Sequence, residues 1–260
     1  MQNLSVVVPE DSKRFVHDLL IETKNTFNSD VIENTITFFD IKDEILEKLC
    51  LILAKTIVKL YEKEMLLKAV NKKCLSLSKS DKIEIWKMAM SHLHNDFNDA
   101  NNEYFSRINL VKKSLYDCFC ESDWLSLQGF INFRMREYIE EIETLTEFSA
   151  KEYEIDCEYR EFVMMLKCYI SLQSPKYFDV HIFYGKDVLI FGDGINITNE
   201  YLKEYRAEIG TVAENKDDFV LNSLILIAPK KIKITVIDVF PEKEFVDTLK
   251  SVFENKISIN

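Results

Sequence analysis

Only five glycines and four prolines punctuate the 260 residues, and they are unevenly spread. No proline falls between Pro9 and Pro175, and Gly129 alone precedes Gly185. Residues that break or reverse a chain are therefore scarce in its first two-thirds, where only Pro9 and Gly129 occur. Helices should dominate there, with turns gathered in the last stretch of about 85 residues.

Long apolar runs are missing as well. The most apolar internal stretch, Leu49 to Ala54, lies between Lys48 and Lys55 and is far shorter than the roughly 20 residues that span a bilayer. The opening MQNLSVVVPEDSKR has a short apolar run cut off by Pro9, acidic residues straight after and no small-residue cleavage pattern. It does not read as a secretory signal, and the expected location is the cytoplasm.

Positive charge is not in excess: 33 Lys and Arg face 44 Asp and Glu, a formal net charge of −11. Phosphate contacts need a basic surface whose released counterions drive association, so nucleic acid is the least favoured partner. That role would require Lys230, Lys231 and Lys233 to join other basic residues on one face. The six cysteines, Cys50, Cys74, Cys118, Cys120, Cys157 and Cys168, match no zinc spacing and fall mostly in apolar helical patterns. They read as reduced core thiols.

What is present is ample material for a core. The chain is 47% hydrophobic with 18 Phe and 11 Tyr, side chains large enough to offset the entropy lost on ordering, so it should fold without disulfides or metal. Ser5 to Val8 reads as a strand, Asp11 or Ser12 as the cap of a helix to about Phe27, and β-branched Val31 to Phe39 as a second strand. From Asp40 to about Val70, Ile45, Leu49, Ile52, Thr56 and Leu60 recur in steps of three and four, the mark of one buried helical face. A further helix follows Ser80 and stops in the Asn- and Asp-rich run HNDFNDANNEY, which reads as a loop because those side chains compete for backbone hydrogen bonds.

Helices fit Glu103 to Phe119 and Trp124 to Phe148. Ser149 with Glu152 has the capping-box form, so a new helix should start there and run to Gln173 before Pro175. The final region alternates: Phe178, Val180, Ile182 and Tyr184 point one way, Gly185-Lys186 suits a hairpin turn, and Asp187 to Phe191 returns. Gly192-Asp193-Gly194 marks a turn, Asn199 and Asp217 or Asp218 suit helix caps, Lys231 to Val239 suits a strand, and Pro241 opens a last helix. The expected fold is α+β: a β-α-β element over 1–40, free to join the C-terminal sheet, a helical region over 41–175, and a small α/β region over 176–260 with a short, mostly antiparallel sheet.

Three segments carry a family resemblance: WLSLQGFINFRMREYIEEI, EYREFVMMLKCYI and DDFVLNSLILIAPKKIKI. They resemble recurring segments of YtxC-like proteins of endospore-forming bacteria, over roughly Asp123 to Phe253. The resemblance implies a link to sporulation and a spore-forming source. It implies no activity, cofactor or catalytic residue.

The most informative side chains lie in the matched helices. At about 100° per residue, Trp124, Leu127, Ile131, Met135, Tyr138, Ile142 and Leu145 form one stripe with Arg134 at its edge, and Ile155, Tyr159, Phe162, Leu166, Tyr169 and Gln173 form a second with Glu158 at its edge. Antiparallel packing about Ser149 would let Arg134 meet Glu158 and fix register. Arg136 and Arg160 point away, as solvated charges or as contacts for an acidic partner.

His92 and His94 are two apart and diverge on a helix, as do Cys118 and Cys120, so neither pair holds one metal ion. His17 and His181 are isolated. Asp187, Asp193, Asp217 and Asp218 are each explained by turns or caps more simply than by a metal. The expected role is therefore a non-enzymatic scaffold with a protein partner, no metal and no cofactor. The competing one is an enzyme or small-molecule sensor whose pocket lies between the two regions, where Arg134, Tyr138 and Arg160 converge on an anion.

Overall fold

The computed structural model describes residues 2–95, 103–209 and 215–260; most of the expected loop HNDFNDANNEY falls outside them. The chain divides into two compact units, Met1–Glu154 and Ile155–Asn260.

The first unit opens with β1 (Gln2–Val7), α1 (Lys13–Thr23), β2 (Ser29–Ile32) and β3 (Thr35–Ile41). The second expected strand is thus a hairpin, reversed at Glu33 with a left-handed φ of 53°. α2 (Asp43–Lys73), α3 (Lys79–Asn95) and α4 (Glu103–Glu121) follow, then β4 (Trp124–Ser126) and α5 (Leu127–Phe133). The sheet order is β2-β3-β1-β4, with β1 antiparallel to β3 and parallel to β4. The opening strands therefore share a sheet with Trp124–Ser126, separate from the C-terminal sheet.

Two expectations about the middle of the chain are corrected. Trp124 does not begin a helix, because its segment hydrogen-bonds to β1 as a strand. Ser126 then caps α5, its Oγ accepting from the Gly129 N–H at 3.3 Å. The helix stops where the Arg134 N–H bonds back to the Phe130 carbonyl, and α6 (Arg136–Ser171) starts afresh. Nor does Ser149 cap a new helix. α6 runs straight through it, and Ser149 is buried with no partner for its hydroxyl among the described residues. Bonds on either side keep the helix going: Glu147 to Lys73, Glu152 to His92, and the Tyr153 hydroxyl to Asp81.

The division between units falls within α6. The second unit continues with β5 (Asp179–Tyr184), β6 (Val188–Gly192), β7 (Ile195–Asn196), α7 (Thr198–Ile209), α8 (Lys216–Ile227), β8 (Lys231–Val236), α9 (Lys243–Phe253) and β9 (Ile257–Ile259). Its sheet has the order β7-β6-β5-β8-β9. β5, β6 and β7 pair antiparallel as the turn chemistry indicates, but β8 returns after two helices parallel to β5, and β9 parallel to β8, so the sheet is mixed. Val180, Ile182, Tyr184, Ile190, Ile232 and Ile234 alternate into a core shared with Phe219, Leu224, Leu249 and Phe253. Overall the fold is α+β.

Candidate interaction surface

The first stripe is buried as its spacing indicates. Leu127, Ile131, Met135, Tyr138 and Ile142 join the first core, Leu145 packs against it, and only Trp124, displaced into the strand, is exposed. Tyr138 reaches through this core. Its hydroxyl donates to Glu62 Oε1 at 2.6 Å, and Arg107 Nε lies 3.9 Å from the same oxygen while its guanidinium donates to the Leu93 carbonyl at 3.5 Å. All three residues are buried. A buried carboxylate is tolerated only with such partners, so Glu62, Arg107 and Tyr138 tie α2, α4 and α6 together.

The pattern that betrays Glu62 and Arg107 is present in the sequence. Val58, Glu62, Leu66 and Val70 are spaced by four, as are Arg107, Val111, Leu115 and Phe119. Each charge occupies an apolar ridge of its helix.

The remaining candidates lie on the surface. Arg134 pairs with Glu121 at 3.0 Å, and Arg136 with Glu140 one turn on at 2.9 Å, both in solvent. Glu158 is exposed, and Arg160 is exposed with its Nε donating to the Asp156 carbonyl and its guanidinium to Cys157 Sγ. Because α6 is one helix, the expected antiparallel pair does not form. Arg134 lies before the start of α6.

The second stripe behaves differently from the first. In the C-terminal half of α6 the residues that enter the core are Val163 and Ile170, with Leu166 packed beside them. α9 lies along this side: Tyr159 Oη and Thr248 Oγ1 are 3.2 Å apart, and Lys167 pairs with Glu254. The apolar arc extends past that contact into solvent. Ile155 is 64% exposed, Phe162 44%, Met165 60%, Tyr169 51% and Leu172 81%. Glu158 and Glu161 are both exposed; at about 100° per residue Glu158 stands within the arc and Glu161 at its edge.

Other reactive groups are accounted for locally. His92 bonds Glu152 at 2.6 Å with its ring against Phe148; the His94 side chain lies outside the described residues. All six cysteines are free, and burial pushes the Cys50 thiol up to about 12. Asp193 accepts from the Phe178 and Asp179 N–H groups across its turn, which holds its carboxyl below the usual range. Asp217 accepts the Tyr184 hydroxyl. Among the described residues no group of three or more His, Cys, Asp or Glu is placed to hold a metal ion, and no helix is long and apolar enough to cross a membrane.

Fold and surface together define a two-unit α+β protein that displays an uncovered apolar helix face. The chain belongs to the YtxC-like family, whose model matches residues 47–258. It is similar to a protein of Bacillus subtilis (strain 168) named "Uncharacterized protein YtxC", with 22% identity over 211 residues, 80% of this chain and 74% of that one. No solved structure matches it.

Proposed function

We propose that this chain is a sporulation-associated, cytoplasmic interaction protein, and that the outer face of α6 in the second unit is where it receives a protein partner. The observation that carries this reading is the exposed row Ile155, Phe162, Met165 and Tyr169, with Leu172 just past the helix end. Contiguous apolar surface of this kind, rich in aromatics and methionine, marks interaction sites more often than bare solvent-facing helix. Glu158 within the row and Glu161 at its edge suit an amphipathic partner helix that brings basic side chains among its apolar anchors. The link to sporulation rests on family membership.

The test is affinity capture of the tagged chain from sporulating cells, beside a Phe162→Ser/Tyr169→Ser variant and an Arg134→Ala/Arg136→Ala variant. A defined protein retained by the parent and the arginine variant but lost from the stripe variant supports the reading. Identical retention by all three chains sinks it.

One observation favours a second reading, a small-molecule or anion sensor. A groove of about 550 Å³ in the first unit is lined by Lys55, Lys59, Lys63, Asp18, Glu62 and Met90. Native mass spectrometry of the purified chain would show a bound small molecule if this groove is its site, and a bare mass would remove it.

A further inference from the structure

The second sheet has a face that its core does not use. Reading across the register, Asn196 lies beside Phe191, Phe191 beside His181, His181 beside Lys233, and Lys233 beside Ser258. One row thus crosses all five strands. The next row holds Leu189, Phe183 and Thr235. These side chains alternate with the buried Val180, Ile182, Ile190, Ile232 and Ile234, so they stand on the opposite face.

Their rings are contiguous. His181 and Phe183 centroids are 4.2 Å apart, and Phe183 meets Phe191 edge-on at 5.7 Å. Lys231 and Lys233, two apart on β8 and both exposed, border the rings, with Asp179 opposite Lys231 in the register; among the described residues neither lysine is in an ion pair. Together they edge a concavity of about 850 Å³.

We infer that this open sheet face binds single-stranded nucleic acid, with bases stacked on Phe183, Phe191 and His181 and phosphates held by Lys231 and Lys233. Base stacking on aromatic side chains is tolerant of sequence, and every base has a face to offer. A protein's apolar surface laid on the same row would strip water from two ammonium groups set among the rings, whereas a nucleotide strand supplies both stacking partners and anions. Hydrogen-bonding groups at the row's two ends, Asn196 and Ser258, suit the polar edges of bases. Burial and the neighbouring Lys233 hold the His181 imidazole below its ordinary range, so at neutral pH it presents an uncharged ring. The acidic balance of the chain bears against a broad phosphate-binding surface, but this platform relies on stacking and two cations.

The inference is independent of the α6 surface and is tested by fluorescence anisotropy of the full chain with a labelled oligothymidylate and oligouridylate of about 12 nucleotides, a length within the range covered by sheet platforms. Either single strand should bind, and a duplex, whose base faces are hidden, should bind at least about tenfold more weakly. With two phosphates neutralised, raising salt from about 50 to about 200 mM should weaken single-strand binding about sevenfold, and Lys231→Ala/Lys233→Ala should flatten that dependence. Phe183→Ala/Phe191→Ala should lose at least about fivefold per ring. Phe183→Tyr/Phe191→Tyr, which keeps both rings, should retain affinity and guards against misreading a folding defect. The inference is overturned by failure of both single strands to bind at about 100 μM, by equal binding of duplex, or by alanine and tyrosine variants that behave alike. Protection of this face by a captured protein that the oligonucleotide cannot displace would overturn it too.

Discussion

The two halves of α6 carry the same kind of apolar periodicity and meet opposite fates. In the first half Tyr138 and Ile142 are sealed into a core with α2 and α4, whereas in the second Ile155, Met165 and Tyr169 face water and only Val163 and Ile170 are buried. Periodicity reports that a helix has an apolar face. It does not report what covers that face, which depends on elements distant in the chain: contacts from Thr248 and Glu254 reach Tyr159 and Lys167, and the rest of the arc is exposed.

The comparison breaks most readily by truncation. Ile142→Ala should cost about 2–5 kcal/mol, the loss of a buried side chain plus the cavity it leaves. Ile155→Ala, equivalent in sequence terms, should stay within about 0.5 kcal/mol, as surface substitutions do. Urea unfolding of both variants gives the two values. Similar losses at both positions would mean that the second stripe is covered, and the proposed interaction surface would be gone.

The α2 face, the stripe from Leu127 to Leu145 and the hairpin turning at Gly185-Lys186 were legible because local period and turn chemistry decide them. The break at Arg134-Met135 was not, because it follows from Trp124–Ser126 being drawn into a sheet by a strand more than a hundred residues earlier. Ser149 with Glu152 has the form of a capping box, yet the ties of Glu147, Glu152 and Tyr153 to α2 and α3 hold the helix through it. β9 is too short to announce itself, and its pairing with β8 is again long-range. Of the five candidate residues, Arg134, Arg136, Glu158 and Arg160 are on the surface, and Tyr138 alone is buried. Its partners Glu62 and Arg107 each sit in an apolar ridge, and the spacing of a single helix does not say which charge on another helix will meet it.

A smaller effect sharpens the buried side of the comparison. Tyr138→Phe keeps the ring and removes the donor to Glu62, leaving a buried carboxylate short of one hydrogen bond. The expected cost is about 1–3 kcal/mol. Tyr138→Phe/Glu62→Gln should recover part of it, since the neutral amide needs the lost donor less. Equal stability of parent and Tyr138→Phe would show that Arg107 alone satisfies Glu62.

The smallest effect concerns the second sheet and depends on pH. His181 is held below its ordinary value of 6.5 by burial first and by Lys233 second; Lys231 and Asp179 are the other charged groups on that stretch of the face. As pH falls below about 6.5 the unfolded chain takes up a proton at this histidine before the folded one does. Bound protons are then more numerous in the unfolded state, so stability should decline from pH 6.5 downward until the folded-state imidazole is itself protonated, and should be flat with respect to this group above 6.5. His181→Phe, which preserves a stacking ring, should remove that part of the slope, and Lys233→Ala should reduce it by lifting one of its two causes. A slope between pH 5 and 7 that survives both substitutions would assign it to other groups, and the sheet face would then carry its histidine without the electrostatic coupling that its neighbours impose.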